Sequence, residues 1–157
     1  MAKPKADVSM FRDDFSLLIE AGFVAVKQLD EVSASRIFHA AQLISPDSTA
    51  PQIGLGYIAL NKLEMREATE IFEKVIAKEP ENQLAQTFYG ICLLLNKQQR
   101  HKGEKLIKEI ITAATDPTIK ALGEISLEWA EKDLSKEKTK APFFGSAEKP
   151  SSETAKK

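Results

Sequence analysis

The sequence predicts an all-α protein built from a repeated pair of helices, because residue types that pack helices together recur every 34 positions. The recurring residues are Gly22, Gly56 and Gly90, together with the pairs Ala34 and Ala68, Phe38 and Phe72, and Pro46 and Pro80. Small residues followed by an aromatic residue are typical of two antiparallel helices that cross closely. We therefore predict about three helix pairs, with a further helix after them.

The first two units carry the full pattern. They contain Leu18, Gly22, Ala34, Phe38, Ala41 and Pro46, and then Leu55, Gly56, Ala68, Phe72 and Pro80. Glycine and alanine suit the crossing point because a larger side chain would push the helix axes beyond about 8–10 Å. The phenylalanine is expected to fill the space behind the crossing. The proline lacks an amide donor and is expected to end each second helix.

The third unit departs from this pattern. Tyr89 and Gly90 begin it correctly, but Lys102 stands at the small-residue position and Leu106 at the aromatic position. Pro117 comes three residues later than the period requires. We therefore predict a degenerate third unit whose second helix is slightly longer.

The ends of the chain differ in composition from the repeats. We expect residues 1–14 to form an N-terminal segment with some helical character, since Phe11, Phe15 and Leu18 recur at helical spacing. Residues 15–134 form the repeat domain, which ends in an amphipathic capping helix after Asp116. The apolar positions of that helix are Ile119, Leu122, Ile125, Leu127, Trp129 and Leu134.

Residues 135–157 are rich in lysine, glutamate, serine and proline, and we expect a disordered polar tail. Its one apolar feature is the pair Phe143 and Phe144, between Pro142 and Gly145. This pair is either part of a linker or a short docking motif.

The residues give no indication of an enzyme, a cofactor or a metal site. His39 and His101 lie 62 positions apart, and neither has other metal-binding residue types at ligand spacing. Cys92 lies in an apolar run and is expected to be a core residue in a reducing compartment. Gly54 and Gly56 follow no strand, so a dinucleotide-binding loop is excluded.

The charges also bear on partners and location. The 22 basic and 23 acidic residues nearly balance, so nucleic acid is not an expected partner. No apolar run reaches the length of a membrane span, and the first residues lack the pattern of a secretory signal. We therefore expect a cytoplasmic protein that does not insert into a membrane.

The repeat also predicts which side chains face the concave side of the stacked helices. If the units begin at Phe15, Thr49 and Gln83, eight of the nine inward positions are apolar and only Thr87 is polar. The predicted binding groove consists of Ile19, Phe23, Val26, Ile53, Tyr57, Leu60, Ile91 and Leu94. An apolar groove of this kind suits an amphipathic helix of a partner protein. The alternative is that these side chains are buried against the N-terminal segment, the C-terminal helix or a second copy.

The period and the order of these residues resemble the tetratricopeptide repeat, over roughly residues 15–114. The resemblance implies three helix pairs in a right-handed superhelix with a C-terminal capping helix. A chain of this size with an apolar groove also looks like the small chaperones of bacterial type III secretion. The run from Asp116 to Lys120 before the last helix is similar to the branch that binds the needle subunit, which we favour over the translocator branch.

This resemblance implies a non-enzymatic, cytoplasmic chaperone without a cofactor. Its client would be a helical secretion subunit, of the needle or the translocator, whose amphipathic helix is held in the groove to prevent premature polymerisation. The resemblance further implies a second small co-chaperone, and the apolar groove itself allows a homodimer in the absence of client. The alternative function is a general tetratricopeptide scaffold or adaptor in a multiprotein assembly.

Overall fold

The computed structural model describes residues 7–134, which form seven α-helices after a short 3-10 helix, Ser9–Asp14. The helices are α1 (Phe15–Lys27), α2 (Glu31–Ile44), α3 (Ala50–Asn61), α4 (Met65–Lys78), α5 (Gln83–Leu95), α6 (Arg100–Ala113) and α7 (Pro117–Trp129). One π-helical turn, Ala130–Leu134, continues α7. The predicted all-α class is confirmed. The predicted tail, with Phe143 and Phe144, lies outside the described residues.

Consecutive helices pack as pairs: α1 with α2, α3 with α4, and α5 with α6. The first helices also contact one another in the order α1, α3, α5 and α7. Within residues 7–134, no comparable contacts connect α2, α4 and α6 directly. Because the first helices approach one another more closely than the second helices do, they form the inner, concave side of the stack.

Phe38 explains why glycine recurs on the first helices. Its side chain is fully buried, and a Cβ atom built at Gly22 or Gly54 would lie 2.5 or 2.3 Å from its ring. Those distances are far below van der Waals contact, so the ring occupies the space of the missing side chains. Phe72 is packed in the same way against Gly56, at 2.7 Å. The predicted role of both phenylalanines is therefore confirmed.

The third unit differs from the prediction by one residue. Gly103, not Lys102, lies at the helix crossing, because a Cβ atom there would lie 2.7 Å from the Gly90 carbonyl oxygen. Ile107, not Leu106, is the fully buried side chain that packs on Gly90. Lys102 is exposed. The prediction for Lys102 and Leu106 was wrong.

The one-residue shift comes from the turn between α5 and α6. This turn spans residues 96–99, whereas the turns 28–30 and 62–64 of the first two units are one residue shorter. The predicted longer second helix is also wrong, since α2, α4 and α6 each have 14 residues. Pro117 lies three residues beyond the position that the period gives because it is the first residue of α7. A proline in the first turn of a helix loses no hydrogen bond.

The two shorter turns share the same backbone conformation at the end of the first helix. Leu29 and Leu63 lie 34 residues apart and adopt positive φ angles of 61° and 59°. In each turn, the amide of the following residue donates to a carbonyl of the last helical turn, as in Asp30 to Ala25 at 3.0 Å. This cap reverses the chain sharply, which brings each second helix back against its partner.

The C-terminal helix packs on α5 and α6. Leu94, Ile107 and Ala130 form a buried cluster to which Leu127 and Leu134 add. Arg100 ties the π-helical turn to this cluster, because its guanidinium donates to the carbonyl oxygens of Leu94 and Leu134, each at 3.0 Å. The predicted capping helix is confirmed. Within residues 7–134, no helix combines the length and apolar character that crossing a membrane requires.

Candidate functional site

The eight predicted groove residues divide into two classes by exposure. Ile19, Phe23, Tyr57 and Ile91 are half-buried, so part of each side chain remains accessible. The other four are buried: Val26 is 3% exposed, Ile53 5%, Leu60 7% and Leu94 0%. The accessible part of the predicted site is therefore a narrow strip, which we call the inner strip and define as Ile19, Phe23, Tyr57 and Ile91.

The inner strip draws its residues from three first helices. Ile19 and Phe23 come from α1, Tyr57 from α3 and Ile91 from α5. Phe23 and Tyr57 each pack against both the first and the central core clusters, and Ile91 packs against the central and the C-terminal clusters. Each of these three residues therefore packs on two neighbouring core clusters.

Aromatic rings fix the middle of the strip. The Phe23 and Tyr57 ring centroids lie 6.4 Å apart, and Tyr57 stacks on Phe88 at 5.1 Å. Phe88 in turn stacks on the buried Phe72 at 5.4 Å, and Phe23 meets Phe38 edge-on at 5.2 Å. Rings held on both sides lose little conformational freedom on binding, so a partner would meet a preformed surface.

The four buried residues serve the core. Val26 belongs to the cluster around Phe38, whereas Ile53 and Leu60 belong to the cluster around Phe72. Leu94 is covered by Ala130 and Leu134 beyond α7. At Leu94, therefore, the inward position is buried against the C-terminal helix, as the alternative interpretation of the groove predicted.

Helix α5 contributes a polar residue to this region, and α7 contributes an apolar residue that the predicted groove did not include. Thr87 is fully buried, and its hydroxyl donates to the Gln83 carbonyl at 2.7 Å, so its polarity is satisfied within α5. Leu122 of α7 packs against the central core cluster, as Ile91 does. The sequence feature that could have indicated this position is the neighbouring Gly123. Gly123 lies against Ile107 and Ile111 of α6, as Gly54 lies against Phe38 of α2.

His39, one of the residues of a type that can carry chemistry, lies outside the inner strip. His39 is exposed, and its ring Nδ1 lies 2.7 Å from the Ser35 carbonyl oxygen of the preceding turn. Across residues 7–134, no three histidine, cysteine, aspartate or glutamate residues come together as a metal site.

Cys92 provides a direct measure of how tightly the central cluster is packed. Its thiol is 2% exposed, and burial raises its pKa to about 11. At pH 8 the thiol is therefore protonated and shielded, and both effects slow disulfide exchange. We expect a thiol reagent such as dithionitrobenzoate to label Cys92 slowly in the native protein and rapidly in denaturant. Equal rates in the two conditions would show that the cluster opens readily.

Comparison with known proteins adds no relative to this description. No protein-family model matches the sequence, and no match to a curated protein was found.

Proposed function

We propose that this protein is a binding protein that holds an amphipathic helix of another polypeptide along the inner strip. The observation that supports this proposal most strongly is the strip itself, a row of half-buried aromatic and aliphatic side chains along the concave side. An amphipathic helix presents apolar side chains at positions i, i+3 or i+4 and i+7, which together make one narrow stripe. A narrow apolar strip matches such a stripe in shape and chemistry.

We further propose that the client is a helical subunit of a type III secretion system, of the needle or the translocator, and that binding keeps it from polymerising before export. The resemblance to the secretion chaperones supports this choice. The tetratricopeptide family is proposed on the same grounds, with the 34-residue period as its support. In this proposal the protein acts in the cytoplasm and competes with the polymer for one apolar stripe of the client.

Co-purification of the full chain from its native cytoplasm, followed by mass spectrometry, tests the proposal. A stoichiometric small helical secretion subunit is the expected partner. A stable multi-subunit assembly without such a subunit would support the scaffold function instead.

Substitution of Tyr57 tests the site. We expect Tyr57→Ala to weaken binding of the recovered client by about 2 kcal/mol or more, roughly 30-fold, because central aromatic anchors dominate interfaces of this type. Tyr57→Phe keeps the ring that stacks on Phe88, so it should retain binding. Affinity is measured by isothermal titration calorimetry, with circular dichroism to verify the fold.

Leu43→Ala is the matched control, since Leu43 is 70% exposed on α2 and lies outside the inner strip. It should bind as wild type. Because Tyr57 also supports the core, Ile19→Ala at the edge of the strip provides a second variant. Wild-type affinity in both folded variants, Tyr57→Ala and Ile19→Ala, would exclude the inner strip as the site.

A further inference from the structure

Helix α7 corresponds to the first helix of a fourth unit, and residues 7–134 contain no second helix for that unit. Gly123 lies against α6 of the unit before it, as Gly54 lies against α2 of the unit before it. Two residues after Gly54 comes Gly56, which faces the second helix of its own unit through Phe72. Two residues after Gly123 comes Ile125, and no described helix follows to pack on it.

Within residues 7–134, two positions of α7 are more exposed than the equivalent positions of the other units. In the complete units, the positions equivalent to Ile125 are the three recurring glycines, and all are buried. The positions equivalent to Trp129, four residues further on, are Val26, Leu60 and Leu94, which are at most 7% exposed. In contrast, Ile125 is 64% exposed and Trp129 is 38% exposed.

These two side chains form one apolar row. Ile125 and Trp129 lie four residues apart, so they share a face of α7, and Ala121 continues that face by one turn. Glu124 and Glu128 stand beside the row, and Lys132 pairs with Glu128. Residues 117–134 carry four acidic and two basic side chains, which leaves a net charge of −2 on this segment.

The sequence that follows complements this face in charge and composition. Residues 135–145 carry three lysines and one glutamate, a net charge of +2, and end with Phe143, Phe144 and Gly145. Opposite charges on neighbouring segments favour their association at low salt. The phenylalanine pair supplies the apolar area that could cover Ile125 and Trp129.

The distance is also suitable. Phe143 follows Leu134 by nine residues, which can span up to about 30 Å when extended. Trp129 precedes Leu134 by five residues of helix, or about 7.5 Å along its axis. A return of the chain from Leu134 to Trp129 therefore needs only part of the available length.

We propose that Phe143 and Phe144 of the same chain dock on the α7 face formed by Ile125 and Trp129. The docked segment takes the place that a second helix holds in the complete units. It covers the end of the stack at α7. This makes the pair a docking motif and not only part of a linker.

Trp129 reports on this contact directly, because it is the only tryptophan in the chain. The variant F143S/F144S is compared with wild type as full-length protein at several concentrations. We expect the emission of Trp129 to shift to longer wavelength in the variant, with a larger acrylamide quenching constant and unchanged circular dichroism. The control S151A/S152A alters the distal tail and should behave as wild type.

A second variant verifies the face. Ile125→Ser should also increase quenching of Trp129, and adding it to F143S/F144S should produce little further change, because both alter one contact. Identical emission and quenching in wild type and F143S/F144S would overturn the proposal. Protection of Trp129 that depends on protein concentration would also overturn it, since a second copy would then cover the face. Neither readout depends on a client.

Discussion

Phe38→Ala is expected to lower the free energy of unfolding by about 3–5 kcal/mol, the largest effect of any single substitution considered for this chain. Phe38 is fully buried, and its ring fills the space beside both Gly22 and Gly54. Removing the ring leaves a cavity between α1, α2 and α3. Because Gly22 and Gly54 have no side chains that could move into it, the cavity stays largely unfilled. Urea unfolding followed by circular dichroism measures the loss.

Val32→Ala on the same helix is the control, because Val32 is 64% exposed and should change stability by less than about 0.5 kcal/mol. A double-mutant cycle then tests the contact itself. Gly54→Ala should be destabilising in the wild type, where its Cβ would lie 2.3 Å from the Phe38 ring. In the Phe38→Ala background it should cost much less, since the ring is absent. Additive effects of the two substitutions would contradict the described packing.

Gly103→Ala is expected to destabilise the protein by about 1–3 kcal/mol, although alanine is the better helix former. Its Cβ would lie 2.7 Å from the Gly90 carbonyl oxygen and 2.8 Å from the Leu94 amide nitrogen. Both are backbone atoms, so no side-chain rotation can relieve the clash, and α5 and α6 must move apart. A lower midpoint in thermal unfolding measures the effect.

Lys102→Ala is the matched control for this prediction. Lys102 is the residue that the 34-residue period places at the crossing, but its side chain is exposed. We expect the substitution to be neutral, within about 0.5 kcal/mol. If Lys102→Ala were instead the more destabilising of the two, the period would hold through the third unit and the described register of α6 would be incorrect.

Much of the fold follows from the sequence alone. In the first two units Gly22 and Gly56, Ala34 and Ala68, and Phe38 and Phe72 occupy equivalent positions, because each unit must bring two helices equally close. Local chemistry also determines where helices end, since Pro46 and Pro80 follow the last turns of α2 and α4. The helix pairs, the C-terminal helix and the core role of Cys92 could therefore be predicted.

Only the tertiary structure decided which inward positions remain accessible and where the third unit realigns. Periodicity assigns a side chain to a face of its helix, but its burial depends on which residues pack over that face. Tyr57 stays half-buried, whereas Leu94 is buried against Ala130 and Leu134 of the turn that follows α7. The shift from Lys102 to Gly103 depends on one additional turn residue between α5 and α6. A fixed 34-residue period does not account for that additional residue. Gly103 lies at the crossing because the backbones of α5 and α6 approach too closely there for a side chain.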